Sequence, residues 1–238
     1  MGINQKAQNL YALQPDPLEP RAEEVERYVA ALQELAASDP DLSGRQAWSQ
    51  LRLAGMRAGR RSEALDSLNR IFRLATMPET PPDGPCDGLV VTTTTFAATD
   101  PLFRVLLSLW MPWLGKRFDA ATATGDNIML PSARLLAKLV WPSYRFQSLG
   151  DGRYAAFRFR SYAGAGALDR DRRVLKIDYD WDENPNFLIR DILDELVQVV
   201  PDVYLGKALL RYSRRSPQSR RLVAYFALRP AASGSPRP

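Results

Sequence analysis

The hydrophobic period of this chain changes once, and that change limits what it can fold into. From about Pro20 to Ala75 apolar residues recur three or four apart, the spacing of a single helical face. Val25, Tyr28, Val29, Leu32, Leu35 and Ala36 make one such stripe. Ser43 is placed to cap a second helix carrying Trp48, Leu51 and Met56. A third opens at Ser62, after Gly59-Arg60-Arg61, and presents Leu65, Leu68, Ile71, Phe72 and Ala75. Between Met77 and Gly88, prolines that remove donors and glycines that loosen the backbone interrupt any regular structure. After this break the period is two.

Eight strand-like runs follow, at 89–96, 116–119, 144–148, 153–162, 173–180, 195–200, 203–212 and 221–228. Alternation is clearest where Leu175, Ile177, Tyr179 and Trp181 oppose Lys176, Asp178, Asp180 and Asp182. Short turn signals, such as Leu149-Gly150-Asp151-Gly152 and Val200-Pro201-Asp202-Val203, join antiparallel neighbours. Antiparallel strands in this number remove their exposed edges by closing into a barrel. Two helices interrupt the series. One opens at Asp100-Pro101 and carries Leu102, Val105, Leu106, Leu109 and Trp113 up to a bend at Pro112; a short one covers 186–193. The predicted fold class is α+β, with N-terminal helices packed on an antiparallel, roughly eight-stranded β-barrel. The expected divisions are a flexible N-terminus at 1–20, helices at 21–76, a linker at 77–88, the barrel at 89–229 and a disordered tail at 230–238.

The segments Asp87-Gly88-Leu89, Trp113-Leu114-Gly115-Lys116-Arg117-Phe118-Asp119 and Val203-Tyr204-Leu205-Gly206-Lys207 resemble, in their order, the lipocalin-like or calycin-like barrels over about residues 80–229. Among these the chain is similar to the bacterial GXWXG and DUF4334 type, with Trp113-x-Gly115 in place of the full motif, and more faintly to the plastid fibrillin lipid-associated domains. The resemblance implies a lipocalin-like barrel with a cavity for a small lipophilic molecule. It brings no catalytic residues with it.

Composition narrows the chemistry. The 238 residues contain no histidine and one cysteine, Cys86, so histidine triads, Cys-His pairs, zinc clusters and internal disulfides are ruled out. No metal and no cofactor is expected. The longest apolar run, 102–114, is broken by Arg104, Ser108 and Pro112 and is too short to span a membrane. The polar start lacks a secretion signal, and a cytoplasmic protein is the expectation. A net charge of +5, from 32 basic and 27 acidic side chains, describes a mixed surface.

Several residue sets are candidates for function. The aromatic set Trp110, Trp113, Phe157, Phe159, Tyr179 and Trp181 either lines a ligand pocket or fills the core. Asp178, in the run Asp178-x-Asp180-x-Asp182-x-Asn184, lies on a charged strand face. If turned inward it meets Arg158 or Arg160 and becomes an acid–base candidate. The same run departs from a calcium loop at Glu183 and Ile189. Lys207, in phase with Leu205 and Leu209, is either a desolvated anchor for a carboxylate or a rim lysine. Arg211, Arg214, Arg215, Arg220 and Arg221 surround one hairpin and offer contact to an anionic membrane surface. Without interleaved aromatics they give no nucleic-acid platform. The expected function is binding of a small hydrophobic molecule in the barrel cavity; the alternative is a cofactor-independent cyclase or isomerase acting in the same cavity.

Overall fold

Three helices form where the 3.6 period places them. In the computed structural model, which describes residues 10, 22–56, 61–94, 112–213 and 219–232, they are α1 (Ala22–Ala36), α2 (Pro40–Met56) and α3 (Arg61–Leu74). α1 buries Val25, Tyr28, Val29, Leu32 and Leu35, its predicted stripe. The start of α2 differs from expectation. Asp39, not Ser43, caps it: Asp39 Oδ1 accepts the Leu42 N–H at 2.9 Å, and Pro40 fills the first helical position, where no N–H is required. The Ser43 hydroxyl instead donates to the Pro40 carbonyl at 3.0 Å.

Nine strands follow: β1 (Gly84–Thr93), β2 (Trp113–Asp119), β3 (Thr124–Met129), β4 (Gln147–Gly150), β5 (Arg153–Ala165), β6 (Arg173–Asp178), β7 (Ile192–Val200), β8 (Val203–Arg211) and β9 (Arg220–Pro230). A fourth helix, α4 (Pro131–Val140), lies between β3 and β4. The strands pair antiparallel in the order β3-β2-β1-β9-β8-β7-β6-β5, and a β3–β5 ladder closes the ring into an eight-stranded barrel. β4 stands outside this ring, paired only with β5. The protein is therefore α+β, with its N-terminal helices preceding an antiparallel closed barrel.

The structure departs from the sequence reading in three places. β1 begins at Gly84, inside the stretch read as linker, because Pro85 carries no N–H yet still lends its carbonyl to Ala231 at 2.9 Å. β3 and α4 had no sequence assignment. The short helix expected at 186–193 is a single 3-10 turn, Ile189–Asp191, and Ile192 already belongs to β7. The helix expected from Asp100 lies outside the described residues, except that Trp113, expected on it, is instead the first residue of β2, paired with Met129.

Side chains pack on both faces of the sheet. Outside, the α1 stripe with Leu51, Leu68 and Phe72 covers Val197, Val199, Leu205, Tyr225 and Ala227. Inside, Phe118, Phe159, Ile177, Leu196, Tyr204 and Phe226 fill the barrel. Inward glycines make room for the rings: a Cβ on Gly206 would lie 2.1 Å from the Phe226 ring, and one on Gly125 2.4 Å from that of Phe159. The links at 130–152 and 179–191 leave the same end of the barrel, at which β1 and β8 also end, here called the upper end. Among the described residues no helix is long and apolar enough to cross a membrane.

Candidate functional site

Two charged residues sit on strand phases that point into the apolar barrel. Lys116 shares the inner face of β2 with Phe118, and Asp194 that of β7 with Ile192 and Leu196. They are 2% and 3% exposed, so bulk water does not reach either. Lys116 Nζ donates to Asp194 Oδ2 at 2.8 Å, to Asn127 Oδ1 at 3.0 Å and to the Tyr179 hydroxyl. Tyr179 in turn donates to Asp194 Oδ2 at 3.1 Å, and the Trp113 indole N–H to Asn127 Oδ1 at 3.0 Å. The rings of Trp113, Phe159, Tyr179 and Phe226 surround the ammonium at 5.0–5.5 Å from their centroids, within cation–π range. Burial lowers the Lys116 pKa against the attraction of Asp194, raises that of Asp194 against Lys116, and raises the Tyr179 hydroxyl well above its usual value. Asp194 Oδ1 has no hydrogen-bond partner. Beside this cluster the barrel keeps a cavity of about 30 Å³, room for a water-sized group.

The larger concavity lies on the barrel wall, and an interrupted strand edge creates it. On one edge β5 pairs continuously with β3, through a bulge at 157–158. On the other, β5 is paired with β4 only as far as Ala155 and with β6 only from Arg160 onward. Side chains fill the gap between them. The Tyr144 hydroxyl accepts the Phe157 N–H at 2.6 Å, and Asn184 Nδ2 donates to the Arg158 carbonyl at 2.6 Å. Phe157 holds φ +54° here, a region a bulky residue occupies only when its surroundings enforce it. Tyr144 stacks on its ring at 5.2 Å, and Trp141 and Phe146 meet it edge-on.

A groove of about 1120 Å³ runs over this gap, between β2, β3 and β5 and the segments 140–147 and 183–187. Trp141, Tyr144, Phe157 and the half-exposed Phe187 supply its aromatic surface. A strained three-residue turn positions Phe187: Leu188 holds φ 70°, ψ −54°, and the Ile189 N–H donates to the Phe187 carbonyl at 3.0 Å. Asp126 lies in the same wall, 2.6 Å from the Arg117 guanidinium, and burial raises its pKa in spite of that arginine. Asp126 Oδ1, Trp141 Nε1 and Asn184 Oδ1 are buried among the groove residues without hydrogen-bond partners. Phe157 lines both the groove and the inner cavity and separates one from the other.

The structure distributes the sequence candidates as follows. Phe157, Phe159 and Tyr179 join the inner cluster, and Trp113 packs against it. Trp181 lies outside, under the guanidinium groups of Arg158 and Arg160 at 4.6 and 4.9 Å. Asp178 faces outward opposite Arg160 and accepts the Tyr162 hydroxyl at 3.0 Å. Lys207 is buried between barrel and helices, 2.5 Å from Asp169, 2.7 Å from Asn69 and 4.2 Å from the Phe72 ring centroid. Arg211 pairs with Asp191 at 2.7 Å, Arg220 donates to the Asp191 carbonyl, and Arg221 lies over the Tyr212 ring. Trp110, Arg214 and Arg215 lie outside the described residues. Sequence reading missed Lys116, Asn127 and Asp194. The signal for two of them is a charged residue on an apolar phase, at 116 between Leu114 and Phe118 and at 194 between Ile192 and Leu196.

No family model matches the chain, and no curated protein matches it. A solved structure of a protein from Thermomonospora curvata is similar to it at 19% identity, over 74% of this chain and 97% of that one, with a TM-score of 0.40.

Proposed function

We propose that this protein binds a small hydrophobic molecule with a flat body, seated in the lateral groove against Phe157. One observation carries the reading: a concavity of about 1120 Å³ whose aromatic surface surrounds a strained, gap-closing phenylalanine. A volume of this order suits a small organic ligand. The barrel interior, filled by its own rings, keeps about 30 Å³. Trp141 Nε1 and Asn184 Oδ1 are buried in the groove wall, each costing about 1–3 kcal/mol unpaired, and a ligand that shifts this wall to reach them relieves that cost. In this reading Phe157 forms the contact surface, with Phe159 and Tyr179 as the second layer. The likeness to the GXWXG and DUF4334 barrels, and the fainter one to fibrillins, belongs to the same proposal.

Fluorescence of the neutral probe N-phenyl-1-naphthylamine tests it. Saturable enhancement at one site, weakened roughly tenfold by Phe187→Ala, supports the groove. Binding that does not saturate, or that ignores Phe187, overturns it. A second reading, a cofactor-independent cyclase or isomerase, draws on the Lys116–Asp194–Tyr179 cluster, whose shifted protonation suits proton transfer. Native mass spectrometry separates the two. A co-purified ligand of the same mass in wild type and Lys116→Met favours binding alone, and a changed mass favours turnover.

A further inference from the structure

α4 is packed the wrong way round for an ordinary surface helix. Its small residues Ala133 and Ala137 lie buried on the barrel, each 1% exposed, while Leu135 and Leu139, one turn apart, point into solvent at 71% and 83% exposure. Leu130, just before the helix, is 40% exposed. Single exposed leucines are unremarked on most surfaces, but an i,i+4 pair opposite an alanine stripe is a built apolar face. The helix's own segment carries charge of one sign, while the neighbouring link 179–191 carries Asp180, Asp182 and Glu183. Over 130–146 the sequence carries Arg134, Lys138 and Arg145 and no acid. Arg134 and Lys138 flank the leucine face, and all three cations are exposed.

We propose that α4 docks the upper end of the barrel on an anionic lipid surface. Leucines beside cations on one short helix match the interfacial arrangement, in which apolar side chains enter the acyl boundary while Lys and Arg meet the headgroups. A second copy of this chain fits less well. A two-fold contact through this face would set Lys138 and Arg134 against the same cations with no acid on the helix to answer them. The face lies at the end of the barrel where the links 179–191 and 130–152 carry the groove's outer walls, so docking would bring the groove to the lipid. The inference does not depend on what the groove binds.

Co-sedimentation of the full chain with large vesicles tests the proposal, using phosphatidylcholine alone and a 70:30 mixture with phosphatidylglycerol. The expected result is binding to the mixed vesicles that is weakened by salt, with little on the neutral ones. Leu135→Gln/Leu139→Gln is expected to weaken binding roughly tenfold or more. Lys138→Glu/Arg145→Glu, which leaves the leucines in place, should weaken it roughly fivefold or more per cation. Circular dichroism checks that both variants are folded, and the substituted side chains are exposed. Wild-type protein that stays in the supernatant with the mixed vesicles overturns the proposal, as does full binding by both double variants. A dimer in light scattering that the leucine variant dissociates, without vesicle binding, assigns the face to self-association and also overturns it.

Discussion

Removing Lys116 or Asp194 singly should damage the protein more than removing both. At 2.8 Å and an effective dielectric of about 20, the pair attracts with on the order of 6 kcal/mol. Desolvating two ions costs several kcal/mol each, so the intact pair contributes little net stability. Losing one partner leaves the other buried at 2–3% exposure without a counter-charge, a loss of about 3–5 kcal/mol. Lys116→Met/Asp194→Leu removes both desolvation costs, keeps similar volume and leaves Tyr179 its contact with Asn127 at 3.2 Å. It should therefore be more stable than Asp194→Leu alone. Lys116→Met also carries a pH signature. Burial already raises Asp194 with the ammonium present, and without it the shift grows. An acid with a raised folded-state pKa loses stability as pH climbs from its unfolded value toward the folded one, so Lys116→Met should be less destabilised at pH 5 than at pH 8. Urea unfolding of the four proteins at both pH values completes the cycle. A double variant as unstable as the sum of the singles would refute the reasoning.

Further outcomes follow from the packing. Cys86 is 1% exposed and burial pushes its thiol up to about 12, so Ellman's reagent should leave it untouched at pH 8 in the folded protein and titrate one thiol in urea. Gly206→Ala drives a methyl into the Phe226 ring and should cost roughly 1–3 kcal/mol by urea melt, with Phe226→Leu restoring part of it. Asp169 is pushed up by burial, but hydrogen bonds from Lys207 and Arg73 override this and hold its pKa below the ordinary carboxylate value. Its stabilising contribution is present above the unfolded value of about 3.9 and is lost as pH falls through the folded one. Asp169→Asn should accordingly lower the urea midpoint at pH 7 and much less at pH 3.

Period and turn chemistry made the helix-to-barrel switch readable, because both report local geometry. β3 escaped because Thr124-Gly125-Asp126-Asn127-Ile128-Met129 lacks the β-branched and aromatic bias of a strand. Gly125 is there for the Phe159 ring and Asn127 for Lys116, two demands that arise only across the barrel. α4 escaped because alanines form its buried stripe while its leucines face out, the reverse of the usual signal. Phe157, Phe159 and Tyr179, named from the alternating pattern, do lie together in the inner cluster. The cluster's polar part was not legible, since Lys116 and Asp194 are 78 positions apart and explain one another only when the ring closes. The groove belongs to no single segment: it arises along β5, where the pairing with β4 ends at Ala155 and the pairing with β6 begins at Arg160.

The chain has five tryptophans, and only Trp141 places an unpartnered indole N–H among the groove residues described here. In a ¹H–¹⁵N spectrum, with Trp141→Phe to assign its signal, titration with N-phenyl-1-naphthylamine should shift the Trp141 indole resonance saturably. Trp48, under Arg229 on the helical side, should stay in place. Saturable binding with Trp141 unmoved would place the ligand elsewhere and contradict the groove.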